Sequence, residues 1–96
     1  MTDLCTKINE FGKAMSNKTR FRIVEALLKG QMTVSELVKV VKLTQPAVSQ
    51  HLKTLKASNL VTDERRGQEV YYTVDSAYIL QLLKSLTTDV QKRKKD

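Results

Sequence analysis

The sequence predicts a mainly α protein with a small β-hairpin, a winged helix-turn-helix in the order α-α-α-α-β-β-α. Three observations carry that prediction. A two-turn stripe through Leu37, Val38 and Val41 is followed by a short break and then by a longer stripe, Val48, Leu52 and Leu55. Two alternating segments joined at Arg66-Gly67-Gln68 come directly after it. Apolar seams at helical spacing occupy both ends of the chain. A short helix, a tight turn and a second helix followed at once by a basic hairpin is the pattern of this fold.

Each element has its own local reason. Leu4, Ile8, Phe11 and Met15 recur on one helical face, and Gly12 weakens that first helix only modestly. Asn17 can cap a second helix, with Phe21, Val24, Leu27 and Leu28 as its stripe, Ile23 beside it, and Gly30 as a stop. Thr33 and Glu36 have capping-box spacing at the start of the third. Thr44 can cap the fourth, with Pro46 in its first turn, where a missing N–H costs little, and Ala57-Ser58-Asn59 at its end. Leu60 to Arg65 and Glu69 to Val74 read as strands, with Val70, Tyr72 and Val74 inward and Tyr71 exposed. Asp75 or Ser76 caps a last helix whose seam is Ile79, Leu83, Leu86 and Val90, broadened by Leu80 and Leu82. Residues 91–96 form a basic tail, and the 96 residues read as one domain.

The net charge of +7 is uneven. Residues 1–15 and 76–90 each sum to zero, residues 16–75 carry +4, and the tail adds +3. A basic middle favours a polyanionic partner, double-stranded DNA above all, although a solvated surface gives the same balance. Cys5 is the sole cysteine, so an intrachain disulfide is excluded. Nothing near the start resembles a signal peptide, and no apolar run approaches the ~20 residues of a membrane helix. A cytoplasmic setting without a membrane partner is expected. A nucleophile–base pair, a phosphate loop and paired carboxylates are all missing from the motifs, so neither an enzyme nor a cofactor is expected.

With Val48, Leu52 and Leu55 turned to the core, Pro46, Gln50, Lys53 and Ala57 point within about 40° of directly away. Ser49 and Thr54 lie on the shoulders, and Gln45 projects beside Ser49. Between Lys42 and Thr62 there is no Asp or Glu. A solvated helix face usually mixes Lys with Glu, whereas a helix entering the major groove must keep carboxylates away from phosphates. Gln can read adenine through N6 and N7, and Ser can donate or accept at most base edges. Lys53 and Thr54 are placed for phosphates. A rival reading sets the same helix on a protein partner. Arg65-Arg66 beside it suits a polyanion better.

The segments KAMSNKTRFRIVEALLKG, LTQPAVSQHLKTLKASNLV and RRGQEVYYTV, in that order, resemble the ArsR/SmtB family of bacterial winged-helix repressors, over essentially the whole chain. The resemblance implies a homodimer that binds an imperfect inverted repeat in operator DNA, represses transcription there and is released by an inducer. It places Gln45, Ser49 and Gln50 at base-reading positions, Thr33 and Ser35 near the DNA backbone, and Arg65, Arg66 and Gln68 in the wing. It also makes the first and last helices the dimer interface, here Leu4, Ile8, Phe11, Ile79, Leu83, Leu86 and Val90.

The chain departs from the family where inducers bind. Metal sensors of this family carry two cysteines at the third helix, and Thr33 and Ser35 stand there instead. Hydroxyls are poor ligands for soft metals. At the last helix Asp75 stands alone, with Ala77, Thr88 and Gln91 in the other ligand positions. Persulfide sensing needs two cysteines. No metal site is expected, and the inducer is unknown. His51, the sole histidine, reads as a packed structural residue. Cys5 reads as a small apolar side chain, with a redox-responsive regulator acting through it as the alternative.

Overall fold

The computed structural model describes residues 3–94, with side chains through residue 88. Helix α1 spans Leu4–Met15, α2 Lys18–Leu28, α3 Val34–Val41, α4 Gln45–Ala57 and α5 Ser76–Lys94. Strands β1 (Met32–Thr33), β2 (Val61–Arg66) and β3 (Glu69–Val74) form an antiparallel sheet in the order β1-β3-β2. The winged helix-turn-helix order predicted from sequence is present, with β1 added. A two-residue strand leaves no periodic signal, and it becomes visible only when Met32 pairs with Tyr72 and Thr33 with Tyr71.

Caps set the helix starts. Asp3 accepts from the Thr6 amide, Asn17 from Arg20, Thr44 from Ala47 and Asp75 from Tyr78. At α3 the capping box is complete: Thr33 Oγ1 accepts from the Glu36 amide at 3.2 Å, and the Thr33 amide donates to Glu36 Oε1 at 2.9 Å. Each such cap contributes roughly 1 kcal/mol by satisfying amides that the helix leaves unpaired.

The core runs between the helix-turn-helix and the sheet. Ile23, Leu37, Val48, Leu52, Leu55, Leu60 and Val61 are at most 1% exposed. The apolar stripe of α2 differs from the expected one. Ile23, Val24, Ala26 and Leu27 are buried, while Phe21 is 49% and Leu28 63% exposed. The side of α2 bearing Ile23 and Leu27, four residues apart, packs inward and leaves Phe21 and Leu28 outside.

The hairpin also shifts by one residue. Leu60 precedes the strand, and Arg66 belongs to it, paired with Glu69. The turn is Gly67-Gln68, and Gly67 takes φ 64°, as the favoured two-residue hairpin loops require at their first position.

Candidate nucleic-acid interface

Helix α4 is seated by Val48, Leu52 and Leu55, each at most 1% exposed. That fixes its rotation, and Gln45, Ser49, Gln50 and Lys53 are then exposed together. Thr54 is half-buried, and its hydroxyl donates to the Gln50 carbonyl at 3.3 Å, which draws it back onto its own helix. Both ends of α4 are tied. Thr44 caps the start. At the end, the Leu60 amide donates to the Leu55 carbonyl and the Asn59 amide to the Lys56 carbonyl, with Asn59 left-handed at φ 65°. That closure turns the chain into β2 and buries Leu60 beside Leu55.

Lys56, counted among the basic residues of this stretch, is not free. Its Nζ lies 2.8 Å from Asp63 Oδ2, and the hydrogen bond to Asp63 holds the ammonium pKa above its ordinary value. The pair joins the last turn of α4 to the base of the wing. The sequence shows no acidic residue within α4, and only the fold brings Asp63 back to it.

The residues expected near the DNA backbone are differently occupied. Thr33 is half-buried, and its hydroxyl and amide are taken by the capping box with Glu36. Ser35 is exposed in the first turn of α3. In the wing, Arg65 and Gln68 are exposed. Arg66 is held within the chain: its Nε and Nη2 donate to Glu64 Oε1 at 3.1 and 2.7 Å, and Nη2 also donates to Gln31 Oε1 at 3.0 Å. Tyr71, expected to be exposed, is half-buried under that guanidinium, which stands 4.9 Å from the ring centroid. The Tyr71 hydroxyl donates to Glu69, which pushes its pKa up.

Behind α4, His51 is half-buried, and burial followed by the nearby Arg20 guanidinium holds its pKa below the usual imidazole range. Arg20 donates to the Ala14 and Lys13 carbonyls, closing the end of α1, and Arg22 donates to the Val41 carbonyl at the end of α3. Cys5 is exposed on α1. Among the described residues, no three His, Cys, Asp or Glu side chains gather as a metal site would need. Among them, too, no helix is long and apolar enough to cross a membrane.

The residues expected at a dimer interface divide. Leu4, Ile8, Phe11 and Ile79 are half-buried, Phe11 and Ile79 against the core. Leu83 and Leu86 are 42% and 38% exposed, beside Leu80 at 59%, whereas Leu82 is buried. Phe11, Met15, Leu28, Ile79, Leu80 and Leu83 line an open apolar groove of about 400 Å³ between α1, α2 and α5. The Val90 side chain and the expected basic tail's side chains lie outside the described residues, although the α5 backbone continues to Lys94.

A seated second helix with a carboxylate-free outward side, a tight turn before it and a sheet-backed hairpin after it define a winged helix-turn-helix protein. Residues 17–63 match the model of bacterial regulatory proteins of the arsR family. The nodulation protein NolR of Rhizobium meliloti is 42% identical over 77 residues, which cover 80% of this chain and 63% of NolR. The chain thus spans just under two thirds of that relative. The transcriptional repressor SdpR of Bacillus subtilis is 32% identical over 72 residues, covering 75% of this chain and 80% of SdpR. The crystal structure of NolR from Sinorhizobium fredii matches with a TM-score of 0.72 at 37% identity, over 88% of this chain and 84% of that one. The chain belongs to the arsR family of bacterial regulatory proteins.

Proposed function

We propose that the protein is a homodimeric, cytoplasmic DNA-binding repressor that reads an inverted-repeat operator with α4, and that the whole chain serves this as one domain. The observation that carries the reading is the outward side of α4. Gln45, Ser49, Gln50 and Lys53 are exposed together, and the helix has no Asp or Glu. Gln45, Ser49 and Gln50 take base edges in the major groove, while Lys53 and Ser35 take phosphates; Thr54, expected to join them, has its hydroxyl spent on the Gln50 carbonyl. The wing, with Gln68 at its turn, lies along the adjacent backbone. Repression is supported by the similarity to the transcriptional repressor SdpR. Thr33 and Ser35 offer hydroxyls, poor ligands for soft metals, so release does not depend on a metal at α3.

The test is equilibrium binding to duplexes from the DNA flanking the coding gene, with random duplex as reference, across a salt series. Affinity falls linearly with salt on logarithmic axes if phosphates are neutralised. Gln50→Ala lowers the preference for the flanking site by about 1–3 kcal/mol and leaves random-DNA binding unchanged. Equal loss on both duplexes overturns the base-reading role. Binding with no salt dependence overturns the DNA reading itself.

A further inference from the structure

Arg65 and Arg66 are neighbours in sequence and point to opposite faces of the sheet. The register pairs Arg65 with Val70 and Arg66 with Glu69, and successive strand residues alternate sides. Arg65 therefore shares a face with Asp63, which reaches Lys56 on α4, and with Tyr72, which packs against the core. Arg66 shares the other face with Glu64, Tyr71 and Glu69.

On that other face the Arg66 guanidinium is held through its Nε and Nη2. One edge holds Glu64 Oε1, Nη2 also holds Gln31 Oε1, and the plane covers the Tyr71 ring. The bond to Gln31 ties two residues 35 positions apart, joining the wing's outer end to the chain just before β1. A single surface ion pair contributes little, because water screens it and two long side chains must be ordered. Here one cation meets a carboxylate, an amide and an aromatic face, so ordering it once satisfies three contacts. The Glu64 and Glu69 carboxylates on this face would also repel phosphates. Arg65 has no ion pair or side-chain hydrogen bond among the described residues, and it is exposed.

We infer that Arg65 is the wing's phosphate-contacting residue and that Arg66 is a positioning residue, clamping the wing to the start of β1 through Glu64, Gln31 and Tyr71. The Arg65 half rests on the DNA-binding reading above; the Arg66 half does not. Two measurements test them. In a salt titration on a random-sequence duplex, Arg65→Ala lowers the slope of log affinity against log salt by about 0.9, one phosphate's worth. Arg66→Ala weakens binding several-fold and keeps the wild-type slope. In the free protein, amides of residues 61–74 exchange with solvent faster in Arg66→Ala and in Glu64→Gln than in the wild type, and not in Arg65→Ala. A slope lowered equally by both arginine variants, or by Arg66→Ala alone, overturns the division of roles. Unchanged exchange in Arg66→Ala overturns the clamp. A wild type that binds no DNA removes the DNA reading and the Arg65 role with it, while exchange still decides Arg66.

Discussion

Of the ten Lys and Arg between residues 16 and 75, Arg20, Arg22, Lys56 and Arg66 have acceptors inside the chain. Charge alone therefore overcounts phosphate contacts, because a side chain anchored on a carbonyl or carboxylate of its own chain is held away from DNA. Partners three residues apart, such as Thr33 and Glu36, were legible in the sequence. Partners 19 or 35 residues apart, such as Arg22 with Val41 or Arg66 with Gln31, were not, because nothing local encodes them. His51 supplies a prediction at this scale. Burial and Arg20 lower its folded-state pKa below the ordinary 6.5. Between those two values the unfolded chain binds more protons than the native one, so protonation favours unfolding. The stability that neutral His51 confers is complete above 6.5 and is lost as pH falls through the folded value. His51→Gln removes this titration. The wild-type advantage in urea midpoint over that variant shrinks as pH falls from above 6.5 through the folded value, and a gap that stays constant with pH would refute the assignment.

At the scale of elements, the order of helices and the hairpin was readable because each carries a strong period or cap. What escaped was set by tertiary packing: the two-residue β1, the inward side of α2, and the place of Arg66 in the strand. The break between α3 and α4 depends on an unusual backbone. Lys42 caps α3 in the left-handed region, at φ 58° and ψ 49°. Side chains with a Cβ cost about 1–2 kcal/mol there, whereas Asn tolerates it more readily, as Asn59 does at the end of α4. Glycine at position 42 relieves that crowding and keeps the amide bond to the Val38 carbonyl. It also adds about 0.4–1 kcal/mol of unfolded-chain entropy to be lost on folding. Lys42→Gly therefore raises stability by up to about 1.6 kcal/mol net, and Asn59→Gly raises it less. Urea unfolding of the two variants reads the difference. An Asn59→Gly gain larger than that of Lys42→Gly would contradict the strain argument.

For the whole molecule, the apolar surface left by folding decides the assembly. Phe21, Leu28, Leu80, Leu83 and Leu86 are each at least 38% exposed, and Leu28, Leu80 and Leu83 meet in the groove between α1, α2 and α5. Such a patch on so small a chain marks an interface, and in the proposed homodimer a second copy would cover it by placing the same face against itself. The proposed two-fold pair would set two α4 helices about 34 Å apart, one turn of DNA, as an inverted repeat demands. A stable interface of this kind buries about 800 Å² on each partner. Leu80 is the more exposed of the two α5 leucines lining the groove, at 59% against 42% for Leu83. Burying one leucine contributes roughly 1.5–3 kcal/mol, and two-fold symmetry counts each substitution twice. Leu80→Glu adds the desolvation of a carboxylate to that loss, so it lowers dimer affinity at least about 100-fold, each 1.4 kcal/mol being tenfold. Circular dichroism of the variant stays native, since the leucine already faces solvent in the single chain. Sedimentation at micromolar concentration should give a dimer for the wild type and a monomer for Leu80→Glu, with operator binding falling in step. A wild type that sediments as a monomer would remove the two-fold reading of the groove and, with it, the inverted-repeat geometry.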